Sequence, residues 1–409
     1  MVMTMKKITF LIFSICLLFM ASCQKDNNPI KPEPTRELTQ SELQLLTTNN
    51  RFAFKLFREV SNEEPGKNLF ISPFSVSVAL GMANNGAAST TRDAFIRVLE
   101  QQGMNIEEIN KSYQGLQDVL PILDPNVRFD IANSCWYKLG YSFEQSFFDI
   151  CAQYFYSSVT GLDFGNPESV KIINKWVSDK TAGKIPEVID QINANSVLFL
   201  INALYFKASW TVEFDKKKTF TGGFKKVDNS TVSCSMMFRD DSLMSLETSE
   251  FDAVELPYGN GAYSMILFLP KQNVSMNQFI QSMNETNWSS WLSGFKLNRV
   301  QLMMPKFKFE YDISLKPALM AMGLGIAFDG GADFSNLCKS GLFIGDVIHK
   351  TFVDVAEQGT EAAAVTVIDF RDSLPDKLYI YLNRPFVFVM KERISNTIEF
   401  MGRVMEPKY

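Results

Sequence analysis

One short stretch near the C-terminus constrains the fold more than any other: Glu357-Gln-Gly-Thr-Glu-Ala-Ala-Ala-Val-Thr366. Read as a strand, its side chains alternate between two faces. Thr360, Ala362, Ala364, Thr366 and Ile368 share a face that is small and nearly uncharged. Glu361, Ala363, Val365, Val367 and Asp369 share the other, which carries both carboxylates. Gly359 opens the segment, and the turn-like run Arg371-Asp-Ser-Leu-Pro375 follows it. The same residues can therefore serve as an exposed loop or as an inserted strand.

The chain has 409 residues, is 46% hydrophobic and carries 35 Phe, enough for a sizeable core. No linker, repeat or low-complexity run follows residue 40, so residues 40–409 read as one large domain. A net charge of -5 gives no electrostatic case for nucleic acid.

The first residues read as an export signal. Lys6 and Lys7 precede the apolar run Ile8 to Met20, and Ala21-Ser22 precede Cys23. The run is too short for a comfortable transmembrane helix. The pattern resembles a bacterial lipoprotein signal over residues 1–22, with Cys23 as the lipidated first residue and Met20 in place of the usual Leu. Residues 23–39 then form anchor and tether, polar and Pro-rich, extended and disordered. The polar stretch behind Cys23 resembles the surface-export signal of some Gram-negative lipoproteins. The expected place is the outer membrane, facing the cell surface, with a secreted or periplasmic protein as the alternative. Of the remaining cysteines, Cys16 lies in the signal; Cys135, Cys151, Cys234 and Cys338 are widely spaced and expected as free, largely buried thiols.

Periodicity predicts helices over Ser41–Val60, Ser75–Asn84 (begun by Ser72-Pro73), Thr90–Glu100 (N-cap Thr90 or Thr91) and Ser169–Thr181. Strands are predicted over Phe129–Tyr137 and Ser196–Phe206, the latter a buried central strand holding Asn202. Further strands are Ala253–Leu256, Tyr263–Leu269, Arg299–Met304, Phe352–Val355, Leu378–Leu382, Phe386–Met390 and Ile398–Val404. Helices concentrate early and strands late, an α+β pattern.

Enzyme chemistry finds little to work with. His349 is the only histidine, so a Ser-His-Asp triad or a two-His metal site would have to use it. It sits at the start of a strand pattern and reads as a buried, hydrogen-bonded residue. No nucleophile elbow, P-loop or zinc-protease motif is present. The expectation is a non-enzyme with no metal and no cofactor.

Several motifs in order carry a resemblance. They are Asn68-Leu-Phe-Ile-Ser-Pro-Phe-Ser75, Ile173-Asn-Lys-Trp-Val177 with Thr181-Ala-Gly-Lys-Ile185, and Leu200-Ile-Asn-Ala-Leu-Tyr-Phe-Lys207 with Trp210. Glu255-Leu-Pro-Tyr258, Met304-Pro-Lys-Phe307, Ala332-Asp-Phe-Ser335, Asn383-Arg-Pro-Phe-Val-Phe388 and Met401-Gly-Arg-Val404 follow. Across roughly residues 40 to 409 the chain resembles the serpin family. The resemblance implies helices packed around three β-sheets, with a reactive-centre loop at about residues 357–378. It implies a hinge at Glu357, Gly359, Thr360, Ala362, Ala363, Ala364 and Thr366. Ser72, Ser75, Asn202 and His349 match a buried polar cluster, the shutter, beneath the centre of the main sheet. Lys306, Trp210 and Glu357 match the breach, where the loop leaves that sheet.

The activity implied is suicide inhibition of serine, and also cysteine, proteases. The protease acylates on the loop, the freed segment inserts into the main sheet, and the acyl-enzyme is trapped. A serpin-fold binding protein that no longer inhibits is the alternative. Two countings place the bond at Ser373-Leu374 or at Leu374-Pro375, where proline blocks most serine proteases. Ser373-Leu374 ranks first and suits an elastase-like enzyme. Arg371-Asp372 ranks second and suits a trypsin-like one. Phe370-Arg371 would suit a chymotrypsin-like one. The stretch matching a heparin-binding helix, Gln101 to Leu120, holds one Lys and several acids, so no polyanion cofactor is expected; the protein is expected to be a monomer.

Overall fold

The computed structural model describes residues 36–192, 196–360 and 377–409. The signal, Cys23 and the start of the tether lie outside these. So do Ala362, Ala363, Ala364, Thr366, Arg371, Asp372, Ser373 and Leu374.

Local chemistry sets the helix starts. Helix α1 (Gln40–Glu63) opens on a capping box between Thr39 and Glu42. Its stripe of Leu45, Phe52, Leu56 and Phe57 is fully buried. Helix α2 (Pro73–Gly86) begins at the expected Ser72-Pro73, with Ser72 capping it and Pro73 suiting the first turn, and takes in Ser75–Asn84. Helix α3 (Ser89–Val98) corrects the expected cap. Ala88 holds the cap position without a side-chain bond, while Thr91 is inside the helix and accepts from the Asp333 N–H at 2.9 Å. A tertiary contact has claimed the hydroxyl that local pattern assigned to capping. Helices α4 (Ile106–Val119), α5 (Gln145–Phe155), α6 (Glu168–Lys180), α7 (Met276–Ser282), α8 (Glu285–Gly294) and α9 (Lys316–Leu319) complete the α-helices among the described residues.

The strands are β1 (Leu69–Ile71), β2 (Val127–Lys138), β3 (Ser158–Leu162), β4 (Leu198–Ser209), β5 (Phe220–Lys225), β6 (Thr231–Glu247), β7 (Phe251–Tyr258) and β8 (Tyr263–Pro270). They continue as β9 (Lys296–Pro305), β10 (Phe307–Ser314), β11 (Ile348–Ala356), β12 (Gly359–Thr360), β13 (Lys377–Tyr381), β14 (Phe386–Glu392) and β15 (Ile398–Val404). A six-stranded sheet runs β10-β11-β12-β4-β2-β3. A nine-stranded one runs β1-β15-β14-β8-β7-β6-β9-β13, with β5 on β6. The three sheets implied by the resemblance are thus two hydrogen-bonded networks. The seventeen-residue β6 runs on from the β5 and β9 pairings into β7, joining two groups of strands.

The central strand β4 is mostly half-buried, not fully buried as its apolar run predicts. Helix α6 covers the sheet there through a separate small cluster that includes Trp136, Ile173, Val177 and Ala203. Strands β14 and β15 are buried along their whole length. Cys135, Cys151 and Cys338 are buried free thiols, and Cys234 is a half-buried one.

Candidate functional site

Among the described residues, the six-stranded sheet has a gap at its centre. Strands β4 and β11 do not pair with each other; they meet only through the two residues of β12. Gly359 lies opposite Ala356 on one side and Ser209 on the other; Thr360 lies opposite Val355 and Ala208. A cleft adjoins Thr360, lined by Leu204 and Phe206 of β4, Thr351 and Phe352 of β11, and Thr181 and Ile185 after α6.

Glycine is required at the entrance. Gly359 has φ +145°, and a Cβ there would sit 2.1 Å from the Ala208 carbonyl oxygen and 2.9 Å from the Trp210 nitrogen. Thr360 is buried, and its hydroxyl shares a 2.8 Å hydrogen bond with that of Tyr258. The Tyr258 ring stacks on Trp210 at 4.4 Å between centroids. The Trp210 indole donates to the Ala356 carbonyl at 3.0 Å, and its backbone N–H donates to Gln358 at 2.9 Å.

Glu357 anchors the turn before the gap. Its carboxylate takes Lys306 at 3.1 Å and the Thr219 hydroxyl at 2.9 Å, and its carbonyl accepts from the Phe214 N–H. Burial pushes the Glu357 carboxyl up. Backbone, Thr219 and Lys306 contacts outweigh that and hold it below its ordinary value. Lys306 also lies 3.9 Å from the centroid of the Tyr409 ring. Lys306→Met is expected to cost about 1–3 kcal/mol in urea unfolding, less than the usual loss for a fully buried pair because Thr219 still serves the carboxylate. An unchanged midpoint would show that the pair is decorative.

The four shutter candidates do converge. The Ser72 N–H donates to His349 Nε2 at 3.0 Å, and its hydroxyl donates to the Glu399 carbonyl at 2.8 Å while accepting from the Ser75 N–H. The Ser75 hydroxyl donates to Asn202 Oδ1. Asn202 donates to Asn133 at 2.6 Å, which lies opposite it on β2, and Asn133 donates to Gln117 at 2.7 Å. The chain of bonds links β11, α2, β4, β2 and α4. Because the Ser72 hydroxyl faces a carbonyl and not the imidazole, His349 has no nucleophile to activate among the described residues.

Two buried groups here give opposite pH slopes. Burial lowers His349 to about 4. A depressed folded value gives stability that is present above about 6.5 and lost as pH falls through about 4, roughly 3 kcal/mol. Burial, and then Glu392, push the Glu399 carboxyl well above its ordinary range, and neither of its oxygens has a partner. A raised folded value gives stability that is present below about 4.5 and lost as pH rises. Urea unfolding from pH 4 to 9 should show the loss on acidification vanish in His349→Gln and the loss on raising the pH vanish in Glu399→Gln. Parallel profiles for variants and parent would refute both assignments.

Beyond residues 361–376 the chain returns at β13, which pairs parallel with β9. Lys377, its first residue, reaches Asp240 at 3.1 Å, and Asp240 also takes Arg299 at 2.6 Å and Gln301 at 2.9 Å. Burial pushes Asp240 up, yet Gln301, Lys377 and Arg299 together bring it to about 2. Sequence reasoning missed this clamp, as it missed Asn133, Gln117, Thr219 and the role of Tyr258. Asn133 alone left a signal, a polar residue inside a predicted strand.

Comparison with known proteins is consistent throughout. The family model described as Serpin (serine protease inhibitor) matches residues 47–407. An uncharacterized serpin-like protein of Methanosarcina acetivorans is 32% identical, covering 98% of this chain and 99% of its own. The thermophilic serpin tengpin in its native state superposes with TM-score 0.83 at 30% identity, covering 93% of this chain and 98% of its own. Human thyroxine-binding globulin, complexed with thyroxine, superposes with TM-score 0.81 at 27% identity, covering 90% of this chain and 100% of its own.

Proposed function

The chain belongs to the serpin family, and from that premise we propose that it is a suicide-substrate inhibitor of serine proteases, held at the outer membrane surface by a lipid on Cys23. Membership supports protease inhibition in general. Thyroxine-binding globulin, in the same fold, is a carrier by its name, so inhibition has to be argued from the site.

The observation that carries the reading is β12 itself, two residues of the bait segment standing as a strand between β11 and β4. Extending its register by single steps puts Ala362 opposite Phe206 and Val353, Ala364 opposite Leu204 and Thr351, and Thr366 opposite Asn202 and His349. The inward positions are small where the neighbours are large, and a hydroxyl arrives at the polar cluster. Glu361 and Asp369 stay on the other face. As far as Thr366, insertion then has no bulky or charged side chain to bury on the inward face.

The mechanism is a race. The target protease attacks the carbonyl of Ser373, or of Arg371 as runner-up, and the loop becomes an ester of its serine while the new amine leaves on Leu374 or Asp372. Residues from Glu361 onward enter the gap and carry the acyl-enzyme along the sheet before water can hydrolyse the ester. An elastase-like target fits Ser373, a trypsin-like one Arg371; cysteine proteases form the corresponding thioester.

Residues 24–409 mixed with trypsin, chymotrypsin and pancreatic elastase should give an SDS-stable complex and a released fragment beginning at Leu374 or Asp372. Clean cleavage without complex across a wider protease panel would favour the non-inhibitory binding protein instead. Metabolic labelling with a fatty-acid analogue, lost in Cys23→Ala, tests the anchor separately.

A further inference from the structure

We propose that a cleft beside the C-terminal end of α1 binds a small amphipathic organic anion, a carboxylate on an apolar body. The cleft has a volume of about 540 Å³, within the range of about 300–1,000 Å³ common for small-ligand sites. Pro65, Val227, Val274, Met276, Pro385 and Met405 supply apolar walls.

Its charge is one-sided. Lys271, Arg384 and Arg403 line it, and no Asp or Glu does among the described residues, although the chain has 45 acids against 40 bases. Lys271 is already neutralised by Asp252 at 2.7 Å and Glu247 at 3.3 Å. The two arginines are not, since neither has a carboxylate at ion-pair distance among the described residues. Arg403 donates to the carbonyls of Ser61, Glu64 and Lys67, which finishes the exposed end of α1 but leaves its charge uncancelled. Arg384 donates through Nε and Nη2 to the Pro270 carbonyl at 3.3 and 2.9 Å, and its Nη1 meets no described protein group. Burial lowers the basicity of both, Arg403 to about 10, and outweighs the opposing pull of Asp252 on Arg384 and of Tyr311 and Glu64 on Arg403. Ser61 adds a buried hydroxyl without a partner.

A carboxylate at Arg384 Nη1 would supply the missing charge, and an alkyl or aryl body would cover the apolar walls. Cations are disfavoured by the same field, and a bare small anion would leave the walls wet. The site is independent of the inhibitory reading, because it lies off the six-stranded sheet and uses none of its residues.

Calorimetry of residues 24–409 with dodecanoate tests it, with dodecyltrimethylammonium and acetate as controls. One saturable site for dodecanoate is expected, with neither control binding there. Arg384→Met should weaken it about 10- to 100-fold. Val274→Glu, which leaves the Pro270 contact alone, should abolish it, and it decides the matter if Arg384→Met fails to fold. No saturable dodecanoate binding up to millimolar concentration, equal binding of the cationic control, or unchanged affinity in the folded variants would overturn the proposal.

Discussion

On the proposed inhibitory reading, Gly359→Val is expected to turn a protease trap into a protease substrate. The backbone there has φ +145°, and the added Cβ would meet the Ala208 oxygen at 2.1 Å and the Ser209 Cα at 2.7 Å. Neither contact is with a flexible side-chain end, so β4 or the entering strand must shift. Backbone strain of this kind costs on the order of 1–3 kcal/mol before any overlap is counted. Gly359 already stands between β4 and β11 before cleavage, so the forced shift distorts the entrance that Glu361 and the residues after it must pass. Opposing their entry by the same amount, it slows the step by about 5- to 150-fold. Hydrolysis of the ester is untouched, so the race changes hands. Stoichiometric titration of the target protease should show many inhibitor molecules consumed per enzyme, and SDS gels should show cleaved product in place of complex. Undiminished trapping would mean that the strand does not enter beside Ala208.

Loop cleavage should raise heat resistance sharply. In the described state β4 and β11 are joined only through Gly359 and Thr360. Cleavage after Arg371 or Ser373 frees the residues from Glu361 onward to fill the gap, each with a neighbour on both sides. At about 0.5–1.5 kcal/mol net per hydrogen bond, part of that ladder suffices for about 5–10 kcal/mol. Gains of that size correspond to about 15–30 °C in unfolding temperature. Calorimetry of intact and nicked protein, with both fragments retained, measures it. A nicked form that melts at or below the intact one would indicate a plain surface loop, and the inhibitory mechanism would fall with it.

Much of the site was legible because its signals are local. Ser72-Pro73 announces a capped helix start, and the cap then places Ser75 and His349 around one hydroxyl-bearing turn. Gly359 and the small residues after it mark a strand that must pass close to another backbone. What the sequence left dark are contacts between distant segments. Thr219 reaches Glu357 across 138 residues, and Tyr258 reaches Thr360 across 102. Nothing in the run around Thr219 distinguishes it from an ordinary turn position, and the Glu255-Leu-Pro-Tyr258 motif marks its stretch without revealing the contact that Tyr258 makes. The same holds for Thr91, whose cap-like setting was overridden by Asp333, and for β6, whose polar middle hides its length because Arg239, Asp240 and Asp241 are paired.

The pairing of β1 with β15 sets a schedule for making the protein. Leu69 lies opposite Arg403, and Asn68 bonds the backbone of Met405 and Glu406. At about 5–20 residues per second, a ribosome needs roughly 15–70 s to travel from one partner to the other. Throughout that interval Ser72 lacks the Glu399 carbonyl and β1 lacks its partner strand, and β14, made only near its end, has β8 on one side but not yet β15 on the other. Pairs such as β2 with β4 and β7 with β8 need nothing from the C-terminal end, while the contacts of β1 and β15 wait for residues 398–406. Only when these arrive can the nine-stranded sheet seal, so a chain truncated just short of its end should be a target for quality control and not a weaker version of the same molecule.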